Sequence, residues 1–205
     1  MIQAILFDFD GVLTTDKTGS LTTNRYLSEA TGIAFATIQA ALKPFNHGLL
    51  LGKTTHAAIW PEVCARLGRD IDFALLDAAF KSTPLNTAMF DLARSLKHRY
   101  RIGIITDNKL DRIDCLRAHH QLDALFDPIV VSAAVGSDKS DEAIFQYALD
   151  QLGTKPGECL FIDNTASNLD APAHLGMRVV HFDDDANDVP ALIDALRQDY
   201  VIRVD

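Results

Sequence analysis

Five short apolar runs constrain the fold of this chain more than any other feature. None of them alternates apolar with polar residues, which is typical of strands covered on both faces of a parallel sheet. Helical patterns separate the later runs, so strand and helix alternate as they do in a doubly wound α/β sheet. The predicted strands are Ile2–Phe7, Arg101–Thr106, Ile129–Ser132, Leu160–Asp163 and Arg178–Phe182.

The segments between these runs carry apolar residues at a spacing of three or four, which predicts helices that cover the sheet. The pattern over Pro84–His98 begins with a proline, a residue suited to a first helical turn. The pattern over Ser140–Leu152 begins with a candidate N-cap serine and stops before Gly153. Three more helices are predicted over residues 111–119, 165–175 and 190–197.

Residues 14–83 interrupt the alternation of strands and helices. This stretch contains no convincing strand, and a crossover between parallel strands needs only about a dozen residues. We therefore predict a small all-helical cap domain over 14–83, inserted into a core domain formed by 1–13 and 84–205. Four helical patterns are predicted within the cap, at Thr23–Thr31, Thr37–Leu42, Thr54–Leu67 and Asp72–Lys81.

Composition argues against several classes of partner. The chain has 205 residues and a net charge of −9, and its 19 basic residues are dispersed rather than clustered as nucleic-acid binding requires. No apolar run approaches the roughly 20 residues that span a bilayer, and the N-terminus lacks the features of a signal peptide. Its three cysteines are expected to be buried free thiols. The sequence predicts a cytoplasmic protein that binds neither nucleic acid nor membranes, with its oligomeric state left open.

Polar side chains follow the predicted strands at the end where α/β proteins bind ligands. In an open α/β sheet, ligands bind beyond the carboxyl ends of the strands. Four strand ends are thereby expected to bring carboxylates, a hydroxyl, amides and one lysine to a single edge. These residues are Asp8 and Asp10 after the first strand, Thr106, Asp107 and Asn108 after the second, Lys139 after the third, and Asp163 and Asn164 after the fourth.

This set of residues suits phosphoryl transfer to a carboxylate. Asp8 and Asp163 are candidate ligands of Mg²⁺, which prefers oxygen ligands and shares the phosphate oxygens of a substrate. Lys139 adds positive charge near the nucleophile, and Thr106 can donate to a phosphoryl oxygen. Asp10 lies close to a like charge, so we expect it to hold a proton more readily than Asp8 and to act as general acid and base.

Four motifs in order resemble those of the haloacid dehalogenase-like superfamily, in its subgroup with a helical cap after the first strand, which includes phosphatases and β-phosphoglucomutase-like enzymes. They are DFDGV from Asp8, IITDN ending at Asn108, Lys139 in GSDKSDEAIF, and FIDN ending at Asn164. The resemblance implies a Rossmann-like core and an aspartyl-phosphate formed on Asp8, with Asp10 as acid and base. It also implies Mg²⁺ held by the Asp8 and Asp163 side chains and the Asp10 backbone carbonyl, with Thr106 and Lys139 contacting the phosphoryl group.

Two residues depart from the family pattern. Asn164 stands where many members carry a second acid, and no proline follows Lys139. The resemblance also separates branches, because metal-independent dehalogenases lack the second acid of the first motif and this chain retains Asp10. The sequence therefore predicts a Mg²⁺-dependent phosphatase of a small phosphorylated metabolite, such as a sugar phosphate. A phosphomutase and a noncatalytic binding protein with this fold remain open as alternatives.

Substrate contacts are predicted for Asp107, Asn108, Thr106, Lys139 and, within the cap, Lys53. Lys53 belongs to the segment HGLLLGKTTHAAIW, which resembles the family segment just before a cap helix that can face the substrate. The plainer interpretation places Lys53 and His56 in solvent and Trp60 in the core of the cap. The cap residues Phe73, Leu76 and Phe80 are predicted to be core, and Asp183–Asp185 are predicted to be a solvated acidic loop.

Overall fold

A parallel sheet of five strands carries the site. The computed structural model describes residues 1–204, and every strand pair in its sheet is parallel. The strand order is β3-β2-β1-β4-β5, so β1 lies in the middle between β2 and β4. The strands are β1 (Ala4–Phe7), β2 (Arg101–Thr106), β3 (Ile129–Val131), β4 (Cys159–Asp163) and β5 (Arg178–His181). The predicted α/β class is confirmed.

The period of two along β1 explains why its sequence reads as continuously apolar. Ile5 and Phe7 face one hydrophobic cluster, whereas Ala4 and Leu6 face another on the opposite side of the sheet. Helices cover both faces, so every side chain of the strand is buried whichever way it points. The absence of polar alternation in β1 therefore follows from this double covering.

Eleven α-helices are described within residues 1–204. Six of them follow β1 before the chain returns to the sheet in β2, and the first five of these form the helical insertion. They are α1 (Gly19–Thr31), α2 (Phe35–Leu42), α3 (Asn46–Leu50), α4 (His56–Leu67), α5 (Ala74–Lys81), α6 (Thr87–Lys97), α7 (Leu110–His120), α8 (Ser132–Val135), α9 (Glu142–Leu152), α10 (Asp170–His174) and α11 (Val189–Asp199).

Two predicted helix starts were wrong. Pro84 does not open a helix, because Leu85 after it pairs with Thr14 in an isolated antiparallel bridge and must be extended. Helix α6 instead begins after Asn86, whose side chain accepts a hydrogen bond from the backbone of Met89. Likewise Asp141, not Ser140, caps α9 by accepting from the backbone N–H of Ala143.

The helices of the insertion have a hydrophobic cluster of their own. Leu27, Ile38, Leu76 and Phe80 belong to it, and so does Trp60, whose indole N–H donates to the carbonyl of Ile71 at 2.8 Å. Trp60 thus packs the cap as predicted. Phe73 was wrongly predicted to be core: it is 43% exposed and forms a T-shaped pair with Trp60, the ring centroids 5.5 Å apart.

The cap contacts the core through α7 and α8. His56 at the start of α4 is buried and lies 2.8 Å from the carboxylate of Asp111 on α7, so the interpretation that placed it in solvent is wrong. The Ser132 hydroxyl on α8 donates to the carbonyl of Leu50. Cys115 on α7 lies 3.2 Å from Asp77 of α5 and is only partly buried, unlike Cys64 and Cys159. The prediction of three buried thiols therefore fails at Cys115.

Two surface features complete the description. Within residues 1–204 we find no helix with the length and apolar character that a bilayer crossing requires. The loop Asp183–Asp185 brings three carboxylates together, and Lys17 from the linker before α1 reaches Asp185 at 2.7 Å. This loop is partly neutralised by a lysine of the chain itself.

Candidate active site

The turn after β1 places the first two acids. The backbone N–H of Asp8 donates to the carbonyl of Ile162 in β4 and so extends the sheet by one residue. A tight turn follows over Phe9–Leu13, closed by a hydrogen bond from the backbone N–H of Thr14 to the carbonyl of Phe9, with Gly11 at a φ of +84°. A side chain at Gly11 would be strained by that φ and would also come within 2.3 Å of the Asn164 amide. The glycine of the first motif is therefore required by geometry.

Lys139 joins the acids of β1 and β4. Its Nζ lies 2.7 Å from Asp8 Oδ1 and 2.7 Å from Asp163 Oδ2, and all three side chains are buried. The backbone N–H of Lys139 donates to Asp107 Oδ1 at 3.0 Å, which holds the loop before α9 against the end of β2. The structure thus brings together Asp8, Asp107, Lys139 and Asp163, as the sequence predicted.

Burial and charge act against each other at this centre. Burial raises the pKa of Asp8 to about 7, although the ammonium group of Lys139 acts in the opposite direction. Burial by itself lowers the pKa of Lys139, but the carboxylates of Asp8 and Asp163 outweigh it, and the net pKa is raised. Lys139 is therefore a permanent cation here, and Asp8 becomes a nucleophilic carboxylate more readily when a further positive charge is near.

Asp163 is held in place from its own loop. Its Oδ1 accepts the backbone N–H of Thr165 at 2.7 Å, and the Asn168 amide lies 3.2 Å from both carboxylate oxygens. Asn168 was not among the predicted site residues. The signal available in the sequence was its position, since Asn168 follows the end of the FIDN motif by four residues.

The end of β2 supplies a hydroxyl and an amide. Thr106 is buried, and its Oγ1 accepts from the Asn108 amide at 3.2 Å. The same amide donates to Asp10 Oδ2 at 2.8 Å, and the Asn108 backbone N–H donates to the hydroxyl of Ser132. Asn108 was predicted as a substrate contact, but its amide is occupied by protein partners and positions Thr106 and Asp10.

Asp10 has a partner that the sequence analysis missed. Both of its oxygens accept from Arg112, with Nη2 at 2.8 Å from Oδ1 and Nη1 at 2.9 Å from Oδ2. Asp10 was expected to sit mainly beside a like charge, and this expectation was incomplete because a guanidinium group faces it in bidentate geometry. The backbone of Asp10 still lies in the turn after Asp8, as the predicted metal site requires.

Arg112 is enclosed on all sides. It is 1% exposed, Nη2 also reaches the Thr83 hydroxyl in the linker after the cap, and its guanidinium lies over the ring of Phe9. Gly19 packs so closely that a Cβ there would fall 2.2 Å from the guanidinium carbon. Arg112 lies four residues before the buried Leu116 on α7, so an arginine in an apolar stripe was the one available signal.

A cavity of about 270 Å³ lies between cap and core, and we call it the cap cavity. We call the group formed by Asp8, Asp10, Thr106, Lys139 and Asp163 at the carboxyl ends of the strands the strand edge. The cavity is adjacent to it, because Arg112 contacts Asp10 and also lines the cavity. Lys53, the predicted cap contact, is exposed and does not line it, so the structure does not bring Lys53 to the other site residues. The lining residues are Gly19, Ser20, Thr23, Asn24, Gln39, Leu42, Lys43, Asn46, Leu49, His56, Phe80, Lys109 and Arg112.

Known proteins share both the fold and the sequence pattern. Bifunctional epoxide hydrolase 2 of Rattus norvegicus is 26% identical over 208 residues, which cover 91% of this chain and 37% of that protein. Phosphatase MT3486 of Mycobacterium tuberculosis is 24% identical over 192 residues, covering 86% of this chain and 85% of that protein. A haloacid dehalogenase-like family hydrolase from Porphyromonas gingivalis superposes with a TM-score of 0.78 at 26% identity, covering 97% and 99% of the two chains.

The chain thus spans little more than a third of the rat enzyme but most of the mycobacterial one. A family model for haloacid dehalogenase-like hydrolases matches residues 2–176, which include strands β1 to β4, the cap and the four motifs. On that match the chain belongs to the haloacid dehalogenase-like family of hydrolases.

Proposed function

We propose that this hydrolase is a Mg²⁺-dependent phosphomonoesterase that acts on a small phosphorylated metabolite through an aspartyl-phosphate on Asp8. One observation carries the proposal: Asp8 and Asp163, from two different strands, both lie 2.7 Å from the ammonium group of Lys139. A buried lysine between two carboxylates at the ligand-binding edge suits an anionic substrate held with a metal ion. The mycobacterial relative, which carries the name of a phosphatase, supports the same reaction class.

The donor set at the strand edge fits Mg²⁺. The side chains of Asp8 and Asp163 supply hard carboxylate oxygens close to one another, and the backbone carbonyl of Asp10 is a third candidate ligand. Mg²⁺ keeps several waters and binds through one or two carboxylates together with substrate phosphate, so this small set suffices. A bound ion would offset the negative charge of Asp8 and of the phosphoryl oxygens.

In the first proposed step, an oxygen of Asp8 attacks phosphorus. An O–P bond forms to Asp8 while the bond between phosphorus and the leaving oxygen breaks. Lys139 stabilises the charge that develops on the phosphoryl oxygens, and the Thr106 hydroxyl can donate to one of them. Both residues are buried and held by other side chains, so little reorganisation accompanies the step.

Asp10 is the proposed general acid and base. Its carboxyl group gives a proton to the leaving oxygen, then takes one from the water that attacks the aspartyl-phosphate and releases inorganic phosphate. In this structure the Asp10 carboxylate is engaged by Arg112 and Asn108. The acid role therefore requires the carboxyl group to turn away from Arg112 when substrate binds.

The decisive experiment measures phosphate release from p-nitrophenyl phosphate with Mg²⁺ and with a chelator. We expect activity only with the metal. We expect Asp8→Asn to lose at least about 10³-fold in kcat, as removal of a covalent nucleophile does in other enzymes. The matched control is Asp183→Asn, which removes a carboxylate from the acidic loop outside the site.

Full activity of Asp8→Asn would overturn the nucleophile assignment, and activity unaffected by the chelator would overturn the metal. Product analysis with hexose monophosphates separates the proposed function from its nearest alternative. A phosphatase yields free phosphate, whereas a phosphomutase passes the phosphoryl group of Asp8 to another hydroxyl and yields an isomer.

A further inference from the structure

We propose that the cap cavity binds a second oxyanion, a carboxylate or phosphate, carried by the leaving group of the substrate. The substrate would then be a small phosphomonoester with a negative charge on each end. This inference rests on the proposed function, since it names the substrate class of the same site. It is carried by the charges that line the cavity and by the ammonium group of Lys109, which has no ion-pair partner within residues 1–204.

The cap cavity is cationic in an acidic protein. The chain has 28 acidic residues and a net charge of −9, yet no aspartate or glutamate is among the cavity's lining residues. Three lysine and arginine side chains are among them, namely Lys43, Lys109 and Arg112. Such a lining disfavours a neutral or cationic ligand and favours an anion.

Lys109 is a partly buried cation of this lining that has no ion pair among the described residues. Its Nζ donates to the hydroxyl of Ser20 at 3.1 Å, and we find no carboxylate of residues 1–204 in ion-pair contact with it. Burial, followed by the charge of Arg112, lowers its pKa to about 8, while Asp10 and Asp111 act in the opposite direction. An ammonium group in this setting gains more from a bound anion than an exposed lysine does.

Arg112 adds positive charge at the same wall. Its Nη groups are taken by Asp10, Asn108 and Thr83. Its Nε is closed to solvent and packed against Gly19, so it is not a donor that a ligand can reach. Arg112 therefore contributes charge that Asp10 partly offsets, and Lys109 is the ammonium donor beside it for an oxyanion.

The other lining residues of the cap cavity indicate which carbon skeleton the ligand has. Ser20, Asn24 and Asn46 offer hydroxyl and amide groups, whereas Leu42 and Leu49 offer apolar surface. A volume of about 270 Å³ lies at the lower end of small-molecule sites, which begin near 300 Å³. The cavity therefore fits a short carbon skeleton with hydroxyl groups rather than a long chain or a large ring system.

The test compares three esters with the same carbon count: 3-phosphoglycerate, propane-1,3-diol bisphosphate and glycerol 3-phosphate. 3-Phosphoglycerate and the bisphosphate carry an anionic group at each end, whereas glycerol 3-phosphate carries one at a single end. We expect kcat/KM of the protein to be at least tenfold higher for one of the first two than for glycerol 3-phosphate. The better one identifies the oxyanion as carboxylate or phosphate. In Lys109→Gln this preference should fall by about tenfold or more, as expected when a charge-assisted hydrogen bond is lost.

Two variants serve as controls for Lys109→Gln. Lys109→Arg keeps the charge and should retain the preference within about threefold, given the range of such interactions. Lys155→Gln removes an exposed charge before β4, at the edge of the sheet opposite the site, and should leave the preference unchanged. A wild-type preference near one, or an equal loss for all three esters in Lys109→Gln, would overturn the inference.

Binding measurements separate this inference from the proposed function. Titration calorimetry of the Asp8→Asn protein with 3-phosphoglycerate, the bisphosphate and glycerol 3-phosphate needs no turnover. The inference is supported if 3-phosphoglycerate or the bisphosphate binds more tightly than glycerol 3-phosphate and if this difference disappears in Asp8→Asn/Lys109→Gln. That result supports the oxyanion site even if the wild type hydrolyses none of the esters. Equal binding of all three overturns the inference even if the enzyme is an active phosphatase.

Discussion

The strand edge and the cap cavity are adjacent at Arg112, yet the lysines of the two regions have different partners. At the strand edge, Lys139 contacts two carboxylates and is neutralised within the protein. In the cap cavity, the hydrogen-bond partner of Lys109 within residues 1–204 is the hydroxyl of Ser20. In the core the lysine is thus paired with carboxylates of the protein, whereas on the cap side the charge of Lys109 is available to an anionic ligand.

The same contrast appears in how the two regions are assembled. The residues of the strand edge come from the ends of parallel strands, whose register places them together. The cap cavity is formed where α1 to α5 approach α7, so its lining depends on the packing of two separate hydrophobic clusters. Changes at the strand edge should therefore have large effects, and changes at the cavity smaller and more selective ones.

After Asp8→Asn, the largest effect is expected for Asp10→Asn. Loss of general acid–base catalysis should lower kcat by about 10²- to 10⁴-fold for an alkyl phosphate, whose leaving oxygen needs a proton. The loss should be clearly smaller in the first step for p-nitrophenyl phosphate, because its leaving group departs without one. Steady-state and burst kinetics with both esters check this, and equal loss in the first step for the two would contradict the acid role.

The Asp10→Asn experiment needs a folding control. Asp10 pairs with the buried Arg112, and removing one member of a buried ion pair is destabilising. Denaturant unfolding of the variant should accompany the kinetics, so that activity is expressed per folded molecule.

The variant Lys139→Met tests whether Lys139 stabilises the fold through its ion pairs, in contrast to Lys109. Without metal, the variant leaves Asp8 and Asp163 unpaired and should lose about 3 kcal/mol or more in free energy of unfolding. Mg²⁺ should restore part of that stability by binding the native state. The matched variant Lys109→Met should not destabilise the protein at pH 7, since it breaks no ion pair of the described residues and removes a charge that burial disfavours.

Gly19→Ala probes the contact between cap and core. Alanine in a helix is ordinarily more stable than glycine by about 0.5 to 1 kcal/mol, but here its Cβ would lie 2.2 Å from the Arg112 guanidinium. Because Asp10 holds that group on both Nη atoms, we expect a destabilisation of about 1 to 3 kcal/mol. The control is Gly48→Ala, which is also in a helix. Its Cβ would lie 3.3 Å from the Thr54 side-chain methyl carbon, so a small shift accommodates it. Similar effects at both sites would show that the packing on Arg112 is unimportant.

The last prediction is a pH dependence of stability that belongs to Lys109. Its pKa of about 8 in the folded protein lies below its ordinary value of 10.5, so between these values the unfolded chain binds more protons. The contribution of Lys109 to stability should therefore rise as pH increases from 8 to 10.5. The difference in unfolding free energy between wild type and Lys109→Met should follow this rise, with Lys155→Met as the flat control. A constant difference would show that burial leaves Lys109 unperturbed.

Sequence reasoning reached the strand edge because the underlying signals are local. The apolar run of β1, the acids directly after it and the motif around Asp163 can each be identified from a few consecutive residues. The rule that parallel strands present their carboxyl ends to one ligand site then assembles them without coordinates. Helix starts were less predictable, because Pro84 and Ser140 satisfy local preferences that a bridge to Thr14 and the cap at Asp141 override.

The sequence by itself determined the α/β class, the helical insertion after β1 and the set of groups gathered around Lys139, since each follows from periodicity or from a short motif. Only the tertiary structure decided that Arg112 faces Asp10 across 102 positions of the chain, that His56 reaches Asp111, and that Lys109 lines a cavity. The physical reason is that these contacts depend on how the cap packs against the core. That packing is set by the shapes of two clusters far apart in sequence, and no local pattern of residues encodes it.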